Sequence, residues 1–263
     1  MSRPTVSALY RYPLKSAHGH PLAAALLGRA GLPDDRAWMI ANADGRFVTG
    51  RELPQLVRIQ ATVDDTALTL AAPGLPTLTV PRATFTASHP AHVWGSDFPA
   101  WHGSAEADAW ISEFTGQPLR LLYTGETQRR VKRHPDEPLG FADGYPLLLI
   151  GDASLAQLSE WAGQPLEMAR FRPNLTIAGA DAFAEDGWQR LRVGGAVIRL
   201  TKPCVRCAFT TVDPDTGDKH ARQEPLRTLA RHRKHPDGVI FGMNAIVETA
   251  GPVAVGDAVE VLE

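Results

Sequence analysis

Thr201-Lys-Pro-Cys-Val-Arg-Cys-Ala-Phe-Thr-Thr-Val-Asp-Pro-Asp-Thr-Gly217 holds both cysteines of the chain, Cys204 and Cys207, with Arg206 between them. The β-branched run at 208–212 reads as a strand, and Asp-Pro-Asp-Thr-Gly after it reads as a turn. Two thiols this close have several uses. A structural disulfide would close a very short loop, which gains little stability. A zinc site needs four ligands, and the plausible further donors are His232 and His235, or scattered histidines, at a spacing much longer than in a compact finger. A thioredoxin-like redox pair needs a helix directly after it. The use that remains is a single thiolate binding a soft transition metal, with the Arg206 charge favouring the ionised sulfur. Cys204 then serves as a small buried apolar residue.

Short strands extend outward on both sides. Upstream they read at 6–12, 36–41, 46–49, 58–63, 67–71, 78–80 and 92–94, with Asn42-Ala-Asp-Gly45 as a hairpin turn. Ser104 is expected to cap a helix over 105–114 that stops at Gly116, and a strand follows at 118–123. Residues 124–144 are polar and proline-containing, and suggest a linker or lid. Beyond them, Tyr145-Pro-Leu-Leu-Leu-Ile150 is a buried strand, and Asp152 is placed to cap a helix over 153–161 that stops at Gly163. Strands at 175–178, 191–193, 196–200, 239–247 and 258–262 complete the pattern, with a helix from Pro225 to about 233. The reading is mainly β with a few helices (α+β), in two β-barrel-like domains at 1–122 and 123–263. The 23 glycines and 21 prolines suit many turns.

A net charge of −2 gives no global attraction for nucleic acid or an anionic membrane, so neither is expected as a partner. Met1-Ser-Arg-Pro-Thr5 lacks the apolar core of a signal peptide, and no apolar run is long enough to span a bilayer. A cytoplasmic protein is the expectation.

Three other clusters suit anion recognition. In Tyr12-Pro-Leu-Lys-Ser16, Pro13 ends a strand, so Lys15 and Ser16 project from a turn and can grip a phosphate. In Asp34-Asp-Arg-Ala-Trp38, Arg36 offers a guanidinium fork for a phosphate or a pterin, or pairs with a neighbouring acid. In Arg170-Phe-Arg-Pro-Asn174, Pro173 keeps Arg172 out of a helix and can aim Arg172 and Asn174 at one ligand. The basic stretches 129–133 and 227–234 are either solvated faces or a docking surface for an acidic electron-transfer partner.

With these motifs and Phe241-Gly-Met-Asn244, the chain resembles MOSC-domain proteins that carry an N-terminal MOSC β-barrel domain, in the pattern of the mitochondrial amidoxime-reducing component and its bacterial counterparts. The resemblance covers nearly the whole chain, and Arg-Cys-x-x-Thr-Thr-Val-Asp-Pro-Asp-Thr-Gly is its most specific block. It implies a C-terminal MOSC β-barrel and a molybdenum-pterin cofactor (Mo-molybdopterin), with Cys207 as the molybdenum ligand. It places Lys15, Ser16, Arg36, Arg172, Asn174 and Arg206 around the pterin and its phosphate, with Asn244 nearby. Asp152 stands where relatives offer a serine to that phosphate. The implied activity is reduction of small N-hydroxylated compounds. Some bacterial relatives add a four-cysteine ferredoxin-like domain; two cysteines cannot supply one, so a separate ferredoxin-, flavodoxin- or cytochrome-type protein is the expected electron donor.

Asp213, the nearest acid to Cys207 along the chain, either relays protons in catalysis or orders the Asp-Pro-Asp-Thr-Gly turn. The same thiol carrying a persulfide would make the chain a cofactor carrier or sulfur-transfer protein. A zinc-stabilised binding module is the third reading.

Overall fold

The computed structural model describes residues 3–125 and 129–263. Among these the fold is mainly β with three α-helices, α1 (Ala105–Thr115), α2 (Asp152–Ala162) and α3 (Leu226–His232). None is long and apolar enough to cross a membrane.

The largest sheet runs His20–Leu22, Thr5–Arg11, Leu175–Ala178, Leu147–Gly151, Gly238–Thr249, Ala196–Val205, Arg190–Val193, Val259–Val261, with Lys234–His235 attached to Gly238–Thr249. Leu147–Gly151 is buried along its whole length and pairs in parallel with Leu175–Ala178. A parallel pair needs a crossover, which α2 and the segment after it supply. A strand covered on both faces reads as a continuous apolar run.

The ends of this path approach one another. Thr5 forms an isolated bridge with Ala258, Val6 N–H donates to the Asp257 carbonyl at 2.9 Å, and Val259 N–H donates to that of Pro4 at 2.8 Å. No continuous ladder closes the sheet on itself among the described residues.

A second sheet joins Trp38–Ala41, Arg120–Tyr123, Ser96–His102 and Ala87–Val93. A third joins Gln60–Val63, Ala67–Ala71 and Leu78–Pro81. Trp38, Leu68, Leu70 and Leu121 meet α1 through Trp110 and Ile111 in one core. The chain's first strands belong elsewhere. Thr5–Arg11 pairs with Leu175–Ala178, and Ala24–Leu27 pairs with Gly251–Ala254. Their Val6, Leu9 and Leu27 share a core with Leu149, Ile198 and Val247.

Several local expectations meet their residues. Ser104 Oγ accepts from Ala107 N–H at 3.1 Å, and Gly116 closes α1 in the left-handed conformation at φ 70°. Others are corrected. Residues 124–144 are not a structureless linker: Arg129–Val131 and His134–Leu139 form a hairpin, and residues 126–128 lie outside the described ones. Asp152 does not cap α2. The cap is Gly151, and the carboxylate at that end comes from the buried Glu185, which accepts from Gly151 N–H at 3.1 Å and Ser154 Oγ at 2.8 Å. The 208–212 run is not a strand but a 3₁₀ turn, Ala208–Thr211. Thr210 and Thr211 donate their hydroxyls to the carbonyls of Cys207 (3.0 Å) and Ala208 (2.7 Å), and these local bonds override β-propensity.

Candidate functional site

At Pro13 the chain leaves the large sheet and meets the second one. Leu14 bridges Trp38, Lys15 N–H donates to the Trp38 carbonyl at 2.9 Å, and Arg36 N–H donates to that of Tyr12 at 2.7 Å. The 12–16 and 35–38 motifs are therefore neighbours. Asn174 N–H donates to the Leu148 carbonyl and its own carbonyl accepts from Tyr10 N–H, which brings the third motif alongside. Lys15, Ser16, Arg36, Arg172, Asn174, Arg206, Cys207 and Asn244 all line one open pocket of about 880 Å³, part of it solvent-filled.

Ser16 (φ 69°), Arg36 (φ 49°) and Arg172 (φ 57°) hold left-handed backbone conformations. For side chains of this kind each costs about 1–2 kcal/mol, and such strain gathers at functional sites. At Arg172 the cause is local. It ends the 3₁₀ turn Met168–Phe171 and precedes Pro173, which disfavours the helical alternative.

The Arg36 and Arg172 guanidinium carbons each lie 4.2 Å from the centroid of the buried Tyr12 ring. The ring lets two like charges share a small space. Gly19 packs so closely that a Cβ there would meet the Tyr12 ring at 2.2 Å. Arg36 is also held by Asp35 at 2.5 Å and by the Asn174 amide oxygen at 3.2 Å. That oxygen accepts from Leu148 N–H as well, and the amide nitrogen donates to the Tyr10 carbonyl. Asn174 therefore braces Arg36 and the strands around it.

Arg172 and Arg206 carry the pocket's electrostatic signature. Arg172 spends one nitrogen on the Ala17 carbonyl, and Arg206 spends two on the Phe241 and Phe171 carbonyls. Nη2 of each is buried with no partner among the described residues. Burial, then the neighbouring Arg36 charge, pushes Arg172 down to about 10. Orphaned, buried guanidinium N–H groups call for an anion. These donors fit the phosphate of a pterin cofactor.

Lys15 is buried and its pKa is lowered by desolvation, against which the Asp143 carboxylate works. The Lys15 ammonium donates to Asp143 and to the Phe141 carbonyl. Among the described residues Asp143 is the only carboxylate lining the pocket, and sequence reading missed it. Surrounding protein pushes its carboxyl up, but Lys15 and a bond from Trp94 Nε1 (2.9 Å) outweigh this and hold it well below the usual range. The side chain lines the pocket and is 71 % accessible, so its direct contacts with Lys15 and Trp94 dominate over desolvation.

The two thiols differ. Cys207 is exposed at the start of the 3₁₀ turn. Cys204 packs beside Phe171 and Phe241, and burial pushes its thiol up. Asp213 does not line the pocket. Its carboxylate accepts from Asp215 and Thr216 N–H at 3.0 Å and pairs with Arg170 at 2.6 Å, so it orders the turn; no geometry supports a proton relay there. Asp152 is also outside the lining. The Asn244 amide donates to the Pro203 carbonyl at 3.3 Å. His232 stacks on Trp161 at 4.3 Å, and no group of three His, Cys, Asp or Glu is placed to hold a metal among the described residues.

Residues 3–118 match the family described as MOSC N-terminal beta barrel domain, and residues 136–260 match the MOSC domain. Human mitochondrial amidoxime-reducing component 1 is 34% identical over 280 residues, which takes in 98% of this chain and 83% of that protein. Bovine mitochondrial amidoxime reducing component 2 is 34% identical over 277 residues, 97% of this chain and 82% of that one. The chain belongs to this MOSC family. The pocket of this MOSC protein draws on both matched stretches: Lys15, Ser16 and Arg36 come from the first, and Arg172, Arg206 and Cys207 from the second.

Proposed function

We propose that the chain is a molybdenum-cofactor-dependent oxidoreductase that reduces small N-hydroxylated compounds with electrons from a separate donor protein. One observation carries the reading most: an exposed thiol, Cys207, shares one pocket with Arg172 and Arg206, whose Nη2 atoms are buried without a partner among the described residues. The relatives' names, which describe amidoxime reduction, agree with it. Bound there, a molybdenum-pterin group supplies two-electron redox chemistry that no side chain offers. Lys15, Ser16, Arg36, Arg172 and Arg206 would hold its anionic and pterin parts, with Asn244 beside them, and Cys207 would ligate the metal. Asn174 and Tyr12 keep the arginines in position. Asp143, held ionised, accepts hydrogen bonds rather than donating a proton.

We also read the chain as two units divided near residue 122. The segment up to Leu27 returns to the C-terminal sheet, which we take as a barrel drawn together at Thr5 and Ala258.

Elemental analysis of protein made in a cofactor-producing host tests the reading. Wild type should carry stoichiometric molybdenum and Cys207→Ser should lose it, along with turnover of a benzamidoxime. Metal and activity retained in that variant would refute the ligand assignment. Exposure of Cys207 also suits a persulfide carrier. Cyanide-releasable sulfur, without turnover of N-hydroxylated substrates, would select that reading instead.

A further inference from the structure

A crease of about 540 Å³ opens beside the pocket and shares Asp143, Gly144 and Tyr145 with it. One bank is the Arg129–Val131 and His134–Leu139 hairpin, a two-stranded sheet of its own. Its inner side is fastened. Val131 and Leu139 pack with Ala142, and the buried Arg129 donates to the carbonyls of Val93, Ala142 and Asp143. Its outer side presents Arg130, Lys132 and Arg133, all exposed. Among the described residues none of the three stands in an ion pair. Lys202 faces them across the crease, with its nearest carboxylate, Asp237, 3.9 Å away. Of the hairpin's own acids, Glu137 is taken by Arg29 at 2.8 Å, and Asp136 lies with it on the second strand.

These unpaired cations sit on a chain of net charge −2. A negatively charged partner gains nothing from the molecule as a whole and is drawn to local clusters of unpaired cations, of which this bank is the one that borders the pocket, so the local field orients it there. The exposed Trp94 and the half-buried Tyr145 add aromatic surface of the kind enriched at protein interfaces. Trp94 already carries Arg51 at 4.5 Å and Phe47 at 4.9 Å from its ring, so it is not free to stack a base. That favours a protein over a nucleic acid.

Chemistry names the kind of protein. Reducing N–OH to N–H breaks the N–O bond, forms N–H, consumes two electrons and two protons, and releases water. In the reaction proposed above the electrons come from a separate donor protein, which leaves oxidised; the two cysteines of this sequence are fewer than the four that hold an iron–sulfur cluster. Such redox encounters are small and steered by charge.

We propose that the outer bank of this hairpin, Arg130, Lys132 and Arg133 with Lys202 opposite, docks a small acidic electron-transfer protein beside the pocket. The inference rests on the reductase reading.

The test pairs wild type with Arg130→Glu/Arg133→Glu, two exposed side chains whose one bond among the described residues is a long 3.5 Å contact from Arg130 to the Asp136 carbonyl. Reduced methyl viologen drives one assay. A panel of acidic ferredoxin, flavodoxin and cytochrome b-type domains drives the other, and binding of each is also measured directly. The variant should keep viologen-driven turnover, raise KM and Kd for the accepted donor roughly tenfold, and lose the donor's salt dependence. A matched reversal on the other basic stretch, Arg227→Glu/Arg231→Glu, should change neither. Unchanged donor KM and Kd in the hairpin variant would overturn the proposal, as would equal loss in the control. Tighter wild-type binding to a DNA oligonucleotide or to anionic vesicles than to every donor would also overturn it. Absence of viologen-driven turnover in loaded wild type refutes the reductase reading instead, and the binding arm still decides the docking face.

Discussion

Arg36 reaches Arg172 directly: its Nη2 donates to the Arg172 backbone carbonyl at 3.1 Å. The two come from opposite halves of the sequence, share the Tyr12 ring and adopt left-handed backbones. The pocket floor therefore depends on Tyr12 as much as on its arginines. Tyr12→Leu should lower stability by about 2–4 kcal/mol, from lost packing and lost cation–π contact. Tyr12→Phe, which keeps the ring, should stay within about 1 kcal/mol. Urea midpoints at constant slope measure both. Equal midpoints for Leu and Phe would remove the ring from the account.

The turn that presents Cys207 depends on hydroxyls. Thr211→Val keeps the shape but strips the Ala208 carbonyl of its donor, and should cost about 1 kcal/mol. Thr211→Ser should restore the bond. We expect molybdenum retention to follow the same order, wild type and Ser above Val. Metal content independent of the hydroxyl would separate the turn from the site.

Glu185 gives a pH dependence of definite sign. Burial raises its carboxyl above the ordinary 4.5, against bonds from Gly151 and Ser154. The folded state thus favours the protonated form. This group's contribution is greatest below 4.5 and declines as pH rises from there through the higher folded value. Denaturant midpoints between pH 4 and 8 should show that decline, and Glu185→Gln should flatten it. A variant profile parallel to wild type would assign the slope elsewhere.

Asp143 acts in the opposite direction. Its folded value lies below the ordinary 3.8, so its stabilisation is present above that pH and lost as pH falls beneath it. The side chain is largely exposed, and solvent screening limits the effect to about 1 kcal/mol or less. Asp143→Asn should leave neutral stability nearly unchanged and soften the acid limb of unfolding. A steeper acid limb would contradict the Lys15 pairing.

Legibility in the sequence followed the range of the interaction. Ser104 and Gly116 mark α1 because a cap is a bond to a near neighbour. Leu147–Gly151 is legible because burial on both faces leaves an unbroken apolar run. The Arg129–Leu139 hairpin is not, because Pro135, Pro138 and the charges break its alternation. The 208–212 run misleads because threonine favours strands until its hydroxyl finds a carbonyl three residues back. Apart from Arg51, the pocket's cationic residues were readable as motifs. Its carboxylate was not: Asp213 is near Cys207 in sequence but braces a turn, whereas Asp143 enters the site through Lys15, 128 positions away. No local signal announces that pairing, or the seat of Thr5–Arg11 in the far sheet.

That seat bears on how the protein is made and how it can be cut. Ser7 Oγ and its hydroxyl partner on Thr176 are 169 residues apart, so the first strand to leave the ribosome has only the short His20–Leu22 strand beside it, and lacks its partner on the other edge until most of the chain has been synthesised. Cleaved at the 122/123 junction, the downstream fragment would expose the edge of Leu175–Ala178 and lose Val6, Leu9 and Leu27 from its interior. Supplying residues 3–27 as a separate peptide should restore its solubility.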